Sequence, residues 1–166
     1  MTNAVQRPVV YLDACFISHW AGQDLLDPLQ AEKHEMSLAW WRLMRNRVRP
    51  VVSDVVVSEI SAGPQDGAVL RVELVRRLGL PVWKESPETL ALGNELLRTR
   101  AVKRTKPLDA AHIALAAVGG ADVLLSWNFR DIVNENKMPQ IKSVVERFGY
   151  RCPLFVSPDK LPEDWP

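Results

Sequence analysis

Five apolar runs punctuate this chain, each too short to be a helix: Val9-Val10-Tyr11-Leu12, Pro50-Val51-Val52-Ser53, Pro81-Val82-Trp83, Val123-Leu124-Leu125 and Leu154-Phe155-Val156. Rich in β-branched residues, they read as short buried strands. Helix-length segments separate them. Residues 31–48 put Met36, Trp40, Leu43 and Met44 on one stripe, with Arg42, Arg45 and Arg49 largely off it. Ser53 suits the N-cap of a helix carrying Val56, Glu59 and Ile60 and ended by Gly63-Pro64. Residues 68–78 space Leu70, Leu74 and Leu78 by four, and Gly79 stops them. Residues 87–100 carry Leu90, Asn94 and Leu97 on or near one side. Pro107 opens a helix through 108–118 that Gly119-Gly120 ends, and residues 141–148 form the last. Strands alternating with helices in this way predict an α/β fold, with a parallel sheet between two helix layers.

A chain of 166 residues, 47% apolar and 25% charged, can enclose one real core, so one domain is expected. No apolar stretch approaches the roughly 20 residues of a membrane helix. The first eight residues lack a basic-then-apolar signal pattern, so a cytoplasmic location is the expectation. No repeat or long linker divides the chain. The Pro-rich segment 157–166 is expected to be a surface tail after a domain at 1–156. Two cysteines, Cys15 and Cys152, provide neither a disulfide framework nor metal-site spacing, and Cys15 reads as a small buried residue.

The chemistry is concentrated where strands end. Asp13 closes the first run, a position that core packing does not explain. Glu59 lies in the helix after the second, Asp109 in the first turn of the 108–118 helix, and Asn128 just after the fourth run. In open α/β sheets, ligands bind in the crevice at the strands' carboxyl ends. Carboxylates gathered there repel one another unless a cation joins them. Hard cations such as Mg²⁺ take oxygen ligands, commonly one or two carboxylates completed by water and phosphate. A bound ion of this kind suits phosphodiester chemistry. Each residue also has a plain local explanation. Asp109 complements the helix dipole, Glu59 fits a solvated helix face, and Asn128 with Asp131 fits an N-cap with an acidic third residue.

Four segments in order resemble a known family: Tyr11-Leu12-Asp13, Ser53-Asp54-Val55-Val56-Val57-Ser58-Glu59-Ile60, Leu108-Asp109-Ala110-Ala111-His112-Ile113-Ala114 and Leu124-Leu125-Ser126-Trp127-Asn128-Phe129. Together they resemble the PIN domain, most closely the VapC-like toxins of bacterial type II toxin–antitoxin systems, from about Val9 to Val156. The resemblance implies a PIN-like three-layer α/β/α domain with a short central parallel sheet. It implies a Mg²⁺-dependent endoribonuclease, with Mn²⁺ as an alternative ion, commonly a homodimer and blocked by a cognate antitoxin. Asp13 and Asp109 would be the principal metal ligands. Glu59 would be the second acid of the cluster, acting on metal-bound water directly or through the outer shell. Ser126 matches a supporting position that hydrogen-bonds Asp13. The chain departs from the pattern at the fourth acid, where many members carry Asp and this sequence has Asn128. A neutral carbonyl oxygen supplies no charge there and should weaken a second-metal site, with Asp131 as the residue placed to compensate.

Arg98, Arg100, Lys103, Arg104 and Lys106 crowd the approach to Asp109 and are read as contacts for RNA phosphates or the antitoxin. Arg42, Arg45, Arg47 and Arg49 read as a solvated surface. His112, one turn beyond Asp109, reads as a structural or hydrogen-bonding residue. Trp127 reads as buried more readily than as a base-stacking platform. Three functions compete: a metal-dependent ribonuclease, a catalytically weak PIN-like module binding RNA or protein, and a phosphatase with Asp13 as nucleophile. The last is disfavoured because Asp13-Ala14-Cys15 lacks a second Asp. A Cys15–His112 nucleophile pair lacks an oxyanion hole and a third group.

Overall fold

The computed structural model describes residues 7–22, 25–63 and 65–160. Five parallel strands form one sheet in the order β3-β2-β1-β4-β5, where β1 is Val9–Leu12, β2 Arg49–Ser53, β3 Val82–Trp83, β4 Val123–Leu125 and β5 Leu154–Val156. The register pairs Tyr11 with Val51 on one side of β1 and with Leu124 on the other. Tyr11, Leu12, Val52, Leu124 and Leu125 are completely buried, as strands covered on both faces must be. Pro50 is tolerated in β2 because β3 pairs only with Val52 and Ser53, leaving Pro50 a single neighbouring strand.

Seven helices among the described residues connect the strands: α1 (Ala14–Trp20), α2 (Pro28–Met44), α3 (Asp54–Ser61), α4 (Gln65–Leu78), α5 (Pro87–Arg98), α6 (Pro107–Val118) and α7 (Met138–Arg147). Ser53 caps α3, accepting from the Val56 N–H at 3.2 Å, as its sequence position predicts. Pro87 and Pro107 open α5 and α6, and a Ser86–Thr89 capping box fixes the start of α5.

The differences from the sequence reading have local causes. Helix α1 is absent from the expectations because its seven residues make only two turns, too short for the spacing of Ala14, Phe16, Ile17 and Trp20 to signal a helix. Helix α2 begins at Pro28, three residues early, because Asp27 caps it through the Leu29 N–H. Its buried positions are Ser37, Trp40 and Met44, while Leu43 is half exposed. On α4 the buried face carries Ala68, Arg71 and Val75 instead of Leu70, which is exposed. Leu90 of α5 is likewise exposed. The tail departs from its sequence reading at its start: Ser157 and Pro158 are buried beside β5, whereas Asp159 and Lys160 are exposed. Residues 161–166 lie outside the described residues, as does Pro64. Among the described residues no helix is long and apolar enough to cross a membrane.

The turn after α6 is tightly fitted. A Cβ on Gly119 would stand 2.2 Å from Cζ3 of Trp83, the residue that ends β3 and whose ring lies 6.2 Å from that of Tyr11. The ring must therefore shift for any larger residue. Gly119→Ala is expected to cost about 1–3 kcal/mol, the usual range for overpacking, read as a lower midpoint in denaturant unfolding. An unchanged midpoint would show that Trp83 moves freely.

Candidate active site at the carboxyl ends of β1 and β4

Chain progression reverses beside β1: the strand order runs outward through β2 and β3, then resumes at β4 on the other side. A reversal of this kind leaves a crevice at the strands' carboxyl ends. Asp13 leaves β1 into it and caps α1, its Oδ1 accepting from the Phe16 N–H at 2.8 Å. Its Oδ2 accepts from Ser126 Oγ at 2.5 Å, and Ser126 Oγ accepts in turn from the Asn128 N–H at 2.8 Å. The Ser126 hydroxyl thereby joins the ends of the two strands. Asp13 is 2% exposed, and burial pushes its carboxyl up to about 6. His112, the Ser126 hydroxyl and the Phe16 N–H oppose that rise, while Glu59 adds to it.

Asp109 enters from the first turn of α6. Its Oδ1 accepts from Asn128 Nδ2 at 3.2 Å, and its Oδ2 is buried without a hydrogen-bond partner. Burial raises the Asp109 carboxyl above its ordinary range. The Asp131 charge raises it further, and His112 and Lys106 act against both. Glu59, projecting from α3, is reached by His112 Nε2 at 2.9 Å. A carboxylate only accepts, so Nε2 carries the proton in this bond. His112 Nδ1 lies 2.8 Å from the Tyr11 hydroxyl, itself 2.7 Å from Ser53 Oγ. The expected hydrogen-bonding role of His112 is thus present, within a chain reaching from β2 through β1 to α3.

Asn128 holds the corner left by the missing acid. Its Oδ1 accepts from the Asp131 N–H at 3.1 Å, a cap-like bond formed on an irregular turn instead of a helix. Asp131 is buried, and its carboxylate meets Lys137 at 2.8 Å, Lys103 at 3.3 Å and Lys106 at 4.0 Å. Burial pushes its carboxyl up, but bonds from Lys137 and Lys103 outweigh that and hold it below the ordinary range. Lys137 carries no motif and reaches Asp131 only through the irregular turn between them, so the sequence reading misses it. Of the remaining basic residues, Arg98 is bonded to Glu95 at 2.6 Å, and Arg100 and Arg104 are exposed. Arg49 begins β2, at the end of the sheet opposite the crevice, and Arg42, Arg45 and Arg47 are exposed.

Other expectations resolve simply. Trp127 is buried, its Nε1 donating to Ser37 Oγ at 2.9 Å. Cys15 is only half buried, and desolvation pushes its thiol up to about 12, so a thiolate nucleophile is not supported. Beside Glu59, a cleft of about 660 Å³ runs between α3, α5 and α6, with Asp54, Glu85, Asn94 and Leu108 in its walls.

The Glu59 charge raises both Asp13 and Asp109, yet among the described residues no three His, Cys, Asp or Glu side chains stand as a ready-made ligand set. A Mg²⁺ ion needs fewer: one or two carboxylates with water completing the shell. The donors in the crevice are oxygens, and the unpartnered Oδ2 of Asp109 has a free acceptor. The residues fit such an ion on those terms.

No protein-family model matches the sequence, and no curated protein matches it closely. Among solved structures, the chain is similar to one in the VapBC2 complex of Rickettsia felis bound to a DNA fragment from their promoter. The TM-score is 0.58 at 12% identity, covering 90% of this chain and 98% of that one. It is also similar to a chain of VapBC-1 from nontypeable Haemophilus influenzae, with a TM-score of 0.54 at 13% identity, covering 92% and 99%.

The Asp13 carboxyl gives a stability prediction. Its folded value, about 6, exceeds the ordinary 3.8, so folding favours the protonated form. The cost of ionising it is absent below pH about 4 and grows through pH about 6. Above that it reaches at most about 3 kcal/mol, at about 1.36 kcal/mol for each tenfold change in the ionisation constant. Asp13→Asn is therefore expected to raise the melting temperature of the metal-free protein near neutral pH and to give no gain near pH 4. A lower melting temperature at both pH values would mean that the bonds to Phe16 and Ser126 outweigh the burial. Placed side by side, this crevice and the solved structures lead to one conclusion: the chain has the PIN-like α/β/α fold of the chains it matches in the two VapBC complexes.

Proposed function

We propose that this protein is a Mg²⁺-dependent endoribonuclease, the toxin of a toxin–antitoxin pair acting in the cytoplasm. The observation that carries the reading is the buried, unpartnered Oδ2 of Asp109, in the crevice that Asp13 enters from β1. A buried acceptor left without a partner is costly, and a cation beside it removes that cost. Asp13 and Asp109 would hold the ion, and Glu59 would orient water at its open side. A divalent ion so held lowers the pKa of bound water and neutralises charge on the phosphodiester. Ser126 fixes the orientation of Asp13, and Asn128 that of Asp109. The His112 bond keeps Glu59 aimed from α3.

The partners in this reading are an RNA substrate, a cognate antitoxin and a second copy of the chain in a homodimer. Asp54, Glu59 and Glu85 make the cleft along α3 and α5 acidic, a surface better suited to a basic antitoxin segment than to phosphate. A second reading, a catalytically weak binding module, draws on the neutral Asn128 and on the lysines that occupy Asp131.

Cleavage of a panel of structured RNAs separates the two. The ribonuclease reading expects cleavage with Mg²⁺ or Mn²⁺, none after chelation, and none from Asp13→Asn or Asp109→Asn. Ser126→Ala should keep the fold while losing about 10- to 100-fold in activity or metal affinity, as loss of a ligand's hydrogen-bond support typically does. RNA binding with no cleavage under any metal would favour the binding module and sink the nuclease.

A further inference from the structure

Asp131 follows the uncharged Asn128 by three residues and bonds it through its backbone N–H, and its surroundings suit an anchor better than a cation ligand. Its side chain is 2% exposed, while those of Lys137, Lys106 and Lys103 are 24%, 47% and 52% exposed. One ammonium would neutralise one carboxylate. Here three converge on it, so the ammonium groups outnumber the carboxylate they meet, with Lys106 also acting on Asp109. Like charges held this close repel, and an anion at the same place relieves them. The cluster is also tied to the crevice. Asn128 bonds the Asp131 backbone through Oδ1 and the Asp109 carboxylate through Nδ2. Lys106 stands just before α6, the helix that carries Asp109.

We propose that Lys103, Lys106 and Lys137, gathered on the buried Asp131, bind a phosphate of the RNA backbone at the rim of the crevice beside Asp109. Asp131 is then the lysines' anchor, and their ammonium charge stands where a fourth acid would otherwise draw a second cation. The identity of the polyanion rests on the ribonuclease reading above; the cation cluster does not. Lysine binds phosphate as a point charge, which suits three flexible amines around one anchor. Arg98, engaged by Glu95, lies outside the group.

The test uses the full chain carrying Asp13→Asn, so that RNA is bound without being consumed. Affinity for labelled single-stranded RNA is measured across a salt series without added metal. Lys137→Gln and Lys103→Gln are each expected to weaken binding roughly three- to tenfold at moderate salt. Each should also lower the salt slope by about 0.7, the value for one phosphate contact on a single strand. Lys137→Arg should keep the slope, and Lys142→Gln, on the exposed face of α7, should change neither quantity. The proposal is overturned if both glutamine variants bind like the parent, or no worse than Lys142→Gln. It is equally overturned if they lose melting temperature while keeping their affinity, since the lysines would then serve only to neutralise Asp131. A wild-type protein that cleaves no RNA, with variants that still lose salt-dependent binding, removes the nuclease reading and leaves the lysine site standing. Metal-dependent cleavage with unaltered binding by the variants does the reverse.

Discussion

Everything at the crevice depends on how the Asp13 carboxylate is held. It ends β1, caps α1 through the Phe16 N–H and receives the Ser126 hydroxyl from the end of β4. One side chain therefore sets the entry angle of a helix and the spacing of two strands. The same two bonds fill one acceptor site on each oxygen and leave the remaining lone pairs for another partner. Burial works against this arrangement by favouring the neutral acid, which is why its carboxyl is pushed up to about 6. An amide side chain could still accept from Phe16 through its oxygen without carrying a buried charge. A buried acid whose carboxyl is shifted this far is a candidate for the charged chemistry proposed above.

The second constraint acts on Glu59. Ser53, Tyr11 and His112 form a buried chain of hydrogen bonds that ends on Glu59. Each link belongs to a different element, so the position of Glu59 is set by β2, β1 and α6 together. Burial pushes the Tyr11 hydroxyl far above its ordinary range, which keeps it a neutral donor and acceptor inside the chain. A glutamate on a short helix would otherwise sample many rotamers. Fixing it through His112 lowers the entropy lost when it meets a ligand.

Much of this is legible in the sequence because local signals and tertiary structure agree. The strand runs, Ser53 as a cap and Pro107 at a helix start all follow from short-range chemistry. The misses share a physical origin. Helix α1 buries Ala14, Phe16, Ile17 and Trp20, but its two turns are too short for that spacing to stand out from the apolar strand before it. The leucines of α4 suggest one apolar stripe, but its inner face is defined by Arg71, which donates to the Ile60 and Ala62 carbonyls at the end of α3. Backbone carbonyls at a helix end have no sequence signature. Lys137 is invisible for the same reason: its partner, Asp131, is set by a turn whose shape depends on the Asn128 side chain.

The two charge clusters explain each other. Asp13, Glu59 and Asp109 concentrate negative charge at the mouth of the sheet, and Asp131, placed beside Asp109, raises that carboxyl further. Left alone, a fourth carboxylate would add to this repulsion. The lysines offset part of it by pairing with Asp131, and Asn128 bridges the two sides with a neutral amide that donates to Asp109 and accepts from the Asp131 N–H. An aspartate at position 128 could accept from the Asp131 N–H but could not donate to Asp109, and it would return the charge that the lysines offset. Asn128 and the lysine-held Asp131 are therefore one arrangement. The uncharged corner is the condition under which a carboxylate cluster and an ammonium cluster can share one crevice without cancelling each other.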